Sequence, residues 1–257
     1  MSLLVDVLPL QPLPLVRLIV DLPAGRTWKV TGHAGEHEWL AGEGTSTGAE
    51  VVFSDPWAPL GVEATYTLEA DGSWAAGPVV RTFEGWHALT DLPGRQVASF
   101  LWEKDGGDPW TRSPRASFAE PWGSSLPVPV MGPVAGAGGG AITARTVGQD
   151  TRVMRRLVDA NRPLVLLHNE GRCRLPECDV PLARTILLTA APENLTSRMD
   201  RAERTWGLEY RLVPRPHAYL APVATWGDVK AHWSTSAALA ASGLDVADLR
   251  RGDWLVQ

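Results

Sequence analysis

The segment from Asp150 to Pro216 ends in a long β-strand pattern that limits the folds open to this chain. Within Thr205–Val213, large apolar side chains occupy every second position and charged side chains lie between them. The apolar set is Trp206, Leu208, Tyr210 and Leu212, and the charged set is Glu209 and Arg211. Because successive side chains of a strand point to opposite faces, we expect one face to be buried and the other wet. The pattern is typical of a barrel or a sandwich and carries no catalytic motif.

The residues before this strand predict one helix and several shorter strands. Asp150 is expected to cap a helix over Thr151–Ala160, where apolar residues recur at helical spacing. The expected strands are Gln96–Trp102, Ala141–Val147, Leu164–Leu167 and Thr185–Thr189. We therefore assign residues 93–218 to a second, mainly β domain, a barrel or sandwich with one helix at 151–160.

Residues 1–92 are predicted to form a first β domain. Its clearest strand is Val62–Ala70, where a face of glutamates and threonines alternates with an apolar face. Asp71-Gly72 supplies a hairpin turn after that strand. The connection that begins at Asp55, before a strand carrying Tyr66, resembles that of immunoglobulin-like and fibronectin type III sandwiches. The other expected strands are Leu15–Val20, Thr27–Thr31, Glu50–Phe53 and Val79–Phe83.

Residues 219–257 are predicted to form a short, tryptophan-rich helical segment. Thr225 and Asp228 fit an N-terminal capping pair, and Asp245 can begin a second helix. The apolar face of the first helix consists of Trp226, Val229 and Trp233. Trp254 adds another large apolar side chain near the end. Two short helices with such side chains cannot fold alone, so we expect them to dock on the body or on another subunit.

Composition favours a soluble, turn-rich β protein. The chain has 257 residues, and its 21 prolines and 25 glycines are spread along it. A net charge of −5 argues against a polyanion-binding role. The apolar N-terminus lacks a basic start, is interrupted by Asp6 and contains prolines. We therefore expect neither a signal peptide nor a membrane anchor, and synthesis in the cytoplasm.

A basic cluster lies on the predicted helix at Arg152, Arg155 and Arg156. Such a cluster can contact nucleic acid, but in an acidic chain a solvated face or a protein interface is the better interpretation. The candidate interface residues are therefore Arg152, Arg155, Arg156, Trp226, Trp233 and Trp254.

The run from His33 to His37, with Glu36 between them, matches the His-x-x-Glu-His pattern of inverted zinc metallopeptidases. That chemistry needs a helix, so that both imidazoles face one metal ion with the glutamate beside it. Glycines surround the motif and a strand-like segment precedes it. We therefore expect a glycine-rich hairpin with exposed histidines, and no metal at this position.

Cys173 and Cys178 lie ten residues or fewer after His168. Three alternatives remain open for this cysteine loop: zinc ligation together with His168, a local disulfide, or two free thiols. A structural zinc usually takes four ligands, and no second Cys/His pair lies nearby. The spacing therefore favours a disulfide or thiols over a metal. Nothing in the sequence marks His168 as the base for a nucleophilic cysteine.

The run Pro121–Gly140 is rich in proline and glycine and predicts an extended arm. Its end, Gly136–Gly140, lacks the features of a phosphate-binding loop and of a dinucleotide-binding turn. The chain also contains 12 tryptophans, which could stack on sugar rings. Those of the first domain are Trp28, Trp39, Trp57, Trp74 and Trp86. Core packing and interfaces are the other roles that favour tryptophan.

Several stretches resemble minor tail proteins of siphophages that infect actinobacteria. They are Arg26–Gly32, Asp55–Gly61, Pro133–Gly140, Arg162–Leu167, Arg201–Pro216 and the Thr225–Asp228 run. The resemblance spans nearly the whole chain. It implies a non-enzymatic virion protein at the tail tip, similar to distal tail proteins, with residues 93–218 folded like a tail-tube domain. It implies no catalytic residues, no cofactor and no metal.

The same resemblance implies partners and a location. The chain is expected to form a ring of identical subunits between the tail tube and the tip or hub proteins, near the tape-measure protein. The arm at Pro121–Gly140 is expected to reach a neighbouring subunit. The expected location is the tail of the virion. The alternative is a carbohydrate-binding module that recognises host glycans through tryptophans.

Overall fold

The structure is a computed structural model with a mainly β architecture. Among the described residues, strands account for 48% and helices for 17%, which confirms the predicted class. Among the described helices, none combines the length and the apolar character needed to cross a membrane. The residues that the structure describes are 1–102, 116–120, 122, 126–131, 138–173, 178, 180–196, 203–216 and 219–256.

The first part of the chain is an antiparallel sandwich of two sheets. Its strands are β1 (Ser2–Leu8), β2 (Leu15–Asp21), β3 (Thr27–Ala34), β4 (His37–Thr45), β5 (Val51–Ser54), β6 (Glu63–Glu69) and β7 (Ser73–Val80). One sheet has the order β1-β2-β5 and the other β4-β3-β6-β7. Their facing side chains form one core, in which Trp28 of β3 stacks on Phe53 of β5 with ring centroids 5.7 Å apart. This arrangement is the sandwich predicted for this part of the chain.

Alternation explains which face of each sandwich strand is buried. In β6, Tyr66 and Leu68 are buried while Glu63 and Glu69 are exposed, as the sequence pattern predicts. The strand expected at Val79–Phe83 lies earlier in the structure, because β7 starts directly after the Asp71-Gly72 turn and ends at Val80. The proline-containing N-terminus supplies an additional strand, β1, which ends before the first proline.

The second part of the chain is a barrel of six strands. The strands of this part are β8 (His87–Asp91), β9 (Val97–Trp102), β10 (Ala116–Ala119), β11 (Val128–Met131), β12 (Gly139–Val147), β13 (Leu164–His168), β14 (Ala183–Ala190), β15 (Glu193–Leu195) and β16 (Glu203–Leu212). The barrel has the order β12-β9-β8-β13-β14-β16, and a β12–β16 ladder closes it. Since β8 pairs with β9 and β13, the boundary predicted at residue 92 falls after the first strand of the barrel.

One helix, α1 (Gln149–Asp159), covers the barrel core. Val153, Met154 and Leu157 of α1 pack with the inward side chains of the barrel strands, among them Trp206 of β16. The predicted capping role of Asp150 is wrong. Gly148 occupies the N-cap position without a side-chain cap, and the Asp150 carboxylate instead accepts the backbone N–H of Ser99, at 2.9 Å. Asp150 thus ties the helix to β9.

The sandwich and the barrel share a buried junction. Trp57 lies between them with its ring in an apolar cluster that includes Leu60 and the barrel residue Val165. The Trp57 indole N–H donates to the Thr185 hydroxyl of β14, at 2.8 Å. From the other side, the Arg215 guanidinium lies over the Trp57 ring, 3.9 Å from its centroid. These contacts couple the two β units through one aromatic side chain.

The C-terminal segment docks on the body of the same chain. It contains α2 (Trp226–His232), α3 (Ser236–Ala241), α4 (Val246–Arg251) and a 3₁₀ turn at Asp253–Val256. Thr225 and Asp228 form the predicted capping box, and Asp245 caps α4. Arg17 of β2 donates to Asp253 at 2.5 Å and to the carbonyl of Arg251 at 2.6 Å. Since Arg17 is buried and also pairs with Asp6, this contact anchors the segment to the sandwich.

Candidate functional site

The histidines of the metallopeptidase-like motif lie on a β-hairpin. His33 is in β3 and His37 in β4, and the strands pair Ala34 with His37 and His33 with Glu38. His37 and Glu36 are exposed. A hairpin does not bring the two imidazoles and the glutamate around one metal ion as a helix would. The expected hairpin is therefore confirmed, although only His37 is exposed and His33 is half-buried.

The cysteine loop forms the only group of three metal-binding side chains among the described residues. His168 ends β13, Cys173 follows a 3₁₀ turn at Glu170–Arg172, and Cys178 lies farther along the loop. Their nitrogen and sulfur atoms all lie within 4.8 Å of one another. Both cysteines carry thiols in the structure. Because both thiols lie close to His168 and to each other, this geometry is compatible with a disulfide between the cysteines and with metal ligation by all three side chains.

A second histidine, His87, supports His168 from the barrel side. His87 in β8 is the strand partner of His168 in β13. The Nδ1 atom of His168 lies 3.0 Å from the Nε2 atom of His87. The His87 ring also stacks on Phe100, with centroids 5.4 Å apart, and meets the edge of Trp102 at 5.0 Å. His87 is thus held rigidly behind the cysteine loop.

Burial keeps both imidazoles neutral. Desolvation, assisted by the neighbouring His168 and Arg184, lowers the pKa of His87 to about 3. Desolvation also lowers the pKa of His168, although Glu170 opposes the change. A neutral imidazole carries one N–H donor and one acceptor nitrogen. The His87–His168 contact is therefore a hydrogen bond between neutral rings.

Asp55, which the sequence pattern marks only as the start of a connection, is fully buried directly after β5. Its carboxylate accepts three hydrogen bonds: from the Trp39 indole at 2.7 Å, the Tyr66 hydroxyl at 3.0 Å and the Trp57 amide at 3.1 Å. Desolvation raises the pKa of Asp55, against the opposing effects of Arg215 and of these donors. Nearby, buried Arg81 donates to the carbonyls of Pro14, Pro56 and Ala58. Because Asp55 and Arg81 are buried and these hydrogen bonds lie in the interior, this polar cluster stabilises the fold.

An exposed hairpin formed by β10 and β11 is the most unusual surface feature. We refer to these two strands as the apolar hairpin. They pair only with each other among the described strands. Phe118 is 68% exposed, Val128 49% and Val130 57%. Paired Phe118 and Pro129 occupy one face, and Val128 and Val130 the other. Each face of the hairpin therefore exposes apolar side chains, with Ser117 beside Val130 on the second face.

The apolar hairpin overlaps the predicted arm at Pro121–Gly140. Within that range the structure describes residues 122, 126–131 and 138–140, and the rest of the arm lies outside the described residues. Trp122 and Leu126 are also highly exposed. The arm was expected to extend to Gly140. In the structure, Gly139 and Gly140 are already part of β12 and pair with β16. Gly139 approaches the Tyr210 carbonyl too closely for a Cβ atom to fit.

The basic cluster of α1 lies on the solvent face of the helix. Arg152, Arg155 and Arg156 are all exposed. Arg155 forms a two-pronged ion pair with Glu193 of β15, in which Nε lies 3.0 Å from one carboxylate oxygen. This pair commits Arg155 to a contact within the chain. Arg152 and Arg156 keep the exposed positions expected of interface residues.

The three C-terminal tryptophans have different environments. Trp254 is only 3% exposed and packs on Trp233, with ring centroids 4.8 Å apart. The segment thus docks on its own chain, the first of the two expected alternatives, and buried Trp254 is not an exposed interface residue as predicted. Trp226 is 67% exposed and can contact another subunit.

The tryptophans of the sandwich do not form an exposed platform for sugars. Trp28 and Trp57 are buried, and Trp39, Trp74 and Trp86 are half-buried. Trp39 also donates to Asp55 and meets the edge of Tyr66, with centroids 5.9 Å apart. These five rings therefore contribute to the fold.

Comparisons with known proteins identify no family for this chain, so a function must be inferred from the surfaces and side chains described above. No protein-family model matches the chain, and no curated protein matches it significantly.

Proposed function

We propose that the chain is a non-enzymatic structural subunit of a bacteriophage tail tip, which assembles with copies of itself into a ring. The resemblance of its sequence to minor tail proteins supports the tail-tip part of the proposal. The exposed apolar hairpin is the observation that carries the assembly part. In this role the subunit lies between the tail tube and the tip or hub proteins, near the tape-measure protein, in the virion tail.

The apolar hairpin has the properties of a segment that needs a partner. An isolated two-stranded hairpin is at best marginally stable in water, and more strands or further packing are needed to hold one. Neither strand contains a charged residue, and charged side chains are the usual protection of an exposed strand edge. Contiguous exposed apolar surface marks interaction sites. A neighbouring copy that covers Phe118, Val128 and Val130 would meet each of these needs.

The proposed ring requires an asymmetric contact between copies. In sequence the hairpin lies between β9 and β12, and we propose that it packs on a different surface of the neighbouring copy. A head-to-tail contact of this kind closes into a ring when its rotation permits. Arg152 and Arg156 on α1, together with exposed Trp226, supply further contact surfaces for the neighbour or for other tail proteins.

Native mass spectrometry of the purified full chain tests the assembly. We expect a closed oligomer of more than two copies. Val130→Asp should raise the dissociation constant at least about tenfold, about 1.4 kcal/mol, because a charge would be buried in an apolar contact. Val130 is exposed in the single chain, so the unfolding midpoint should not change when both chains are measured at concentrations at which they are monomeric.

A matched control separates the hairpin from apolar surface in general. Val246 is 61% exposed and Val130 57%, so Val246→Asp introduces the same charge at equal exposure but outside the hairpin. Oligomers of Val246→Asp should resemble those of the unmodified chain. A chain that stays monomeric at tens of micromolar, or forms only two-fold dimers, would contradict ring assembly.

A further inference from the structure

The cysteine loop places two sulfur atoms and one imidazole nitrogen at distances close to those of a zinc site. In a tetrahedral site, Zn–S bonds of about 2.3 Å and Zn–N bonds of about 2.0 Å separate sulfur from nitrogen by roughly 3.5 Å and two sulfurs by roughly 3.8 Å. The Sγ atom of Cys178 lies 3.5 Å from the Nε2 atom of His168. All three donor atoms, including Sγ of Cys173, lie within 4.8 Å of one another. Shifts of about 1 Å or less would complete the geometry.

His87 occupies the position of an outer hydrogen-bond partner. A histidine that binds a metal through Nε2 carries its proton on Nδ1 and usually donates it to a neighbouring acceptor. His168 has this arrangement, since Nε2 faces Cys178 and Nδ1 lies 3.0 Å from Nε2 of His87. His87 is buried and held by Phe100 and Trp102. The ring of His168 is thereby oriented toward the two thiols.

The backbone that carries these ligands is held in place at the junction between the sandwich and the barrel. Asn169, which follows His168, is buried, and its side-chain amide donates to the carbonyls of Phe83 at 2.9 Å and Gly85 at 2.7 Å. The Cys173 amide donates to the Glu170 carbonyl at 3.0 Å, which closes the turn. Gly171 packs directly against the backbone of Gly61 in the sandwich. Hydrogen bonds and packing within the fold therefore position the backbone that carries His168 and Cys173.

We propose that His168, Cys173 and Cys178 bind one zinc ion, with water as the fourth ligand. Thiolate and imidazole together are a donor set that suits zinc. Each thiol loses its proton to solvent as its Zn–S bond forms, so binding releases up to two protons per chain. The ion stabilises the cysteine loop where it contacts the sandwich. This inference does not depend on the proposed role in a phage tail.

Metal analysis of the full chain tests the site directly. The protein is reduced, supplied with zinc, freed of excess metal and analysed for zinc per chain. We expect one zinc in the unmodified chain and a loss of stoichiometric zinc in both Cys173→Ser and Cys178→Ser. His37→Gln, which removes an exposed histidine of the other motif, should keep one zinc. His87→Gln should raise the zinc dissociation constant 10- to 100-fold, since partners of this kind typically contribute that much.

A second measurement on the unmodified chain keeps the test valid if a cysteine variant does not fold. Added zinc should protect both cysteines from alkylation, as counted by mass spectrometry, and EDTA should restore alkylation. The same protein loaded with cobalt(II) should show thiolate-to-metal charge-transfer absorption. The proposal is overturned if zinc remains substoichiometric, if alkylation is equal with and without zinc, or if both serine variants retain the metal.

Discussion

Replacing Asp55 by alanine is expected to lower the free energy of unfolding by about 3–5 kcal/mol, the cost typical of removing one partner of a buried charged cluster. Asp55 is fully buried and accepts hydrogen bonds from Trp39, Tyr66 and Trp57. Alanine would leave these donors without an acceptor, and an unsatisfied buried donor costs about 1–3 kcal/mol. Urea unfolding at equilibrium provides the measurement.

A surface aspartate of the same domain supplies the control for Asp55→Ala. Asp71 pairs with Arg26, and both side chains are about half exposed. Exposed ion pairs contribute little, so Asp71→Ala should change the free energy of unfolding by less than about 1 kcal/mol. Equal losses in the two variants would contradict the role assigned to Asp55.

The raised pKa of Asp55 also predicts how its contribution depends on pH. Asp55→Asn removes the titration while keeping the size of the side chain. Because burial raises the folded-state pKa above the ordinary value of 3.8, the folded protein holds a proton that the unfolded chain has already released. The stability of the unmodified chain relative to Asp55→Asn should therefore fall as the pH rises above 3.8 through the folded-state pKa. A relative stability that rises over this window would contradict the direction of the shift.

Replacing Trp206 by alanine is expected to destabilise the barrel by about 3–5 kcal/mol, the range typical of large aromatic side chains in a core. Trp206 is 2% exposed and packs with barrel side chains and with α1. Its indole N–H donates to the Thr146 hydroxyl at 2.9 Å, and that hydroxyl lies 2.9 Å from the hydroxyl of Thr151 in α1. The substitution thus removes a core side chain and one link between the barrel and the helix.

Trp226 is the matched control for Trp206→Ala, because the same substitution is made at a position that is 67% exposed. Trp226→Ala should change the free energy of unfolding by about 0.5 kcal/mol or less. Since the chain has two β units, each unfolding curve should be followed by two probes, such as circular dichroism and tryptophan fluorescence. A loss below about 1 kcal/mol for Trp206→Ala would mean that the barrel core tolerates the cavity.

Features that depend on neighbouring residues could be predicted from the sequence. The alternation in Thr205–Val213 correctly placed Trp206, Leu208 and Tyr210 inside and Glu209 and Arg211 outside. The capping box of Thr225 and the cap of Asp245 were also visible, because each uses a side chain three residues from its backbone partner. Hairpin strands around His33 and His37 followed from the surrounding glycines.

Features that depend on distant pairing could not be predicted. The contact between His87 and His168 requires the register of β8 against β13, across 81 residues of sequence. The burial of Asp55 could not be read from its neighbours, since two of its three donors, Trp39 and Tyr66, come from the separate strands β4 and β6. The local sequence predicted Asp150 as a helix cap, but its carboxylate instead accepts the backbone N–H of Ser99, which is distant in sequence. In each case tertiary structure decided among locally reasonable alternatives.

Cryo-electron microscopy of phage particles assembled in cells that carry this gene is the most direct test of the proposed role. We expect several copies of the chain around the tail axis at the tip, with the apolar hairpin of each copy, including Phe118 and Val130, covered by its neighbour. Purified particles that lack the chain, or that hold it as single copies outside a ring, would rule out the proposed role.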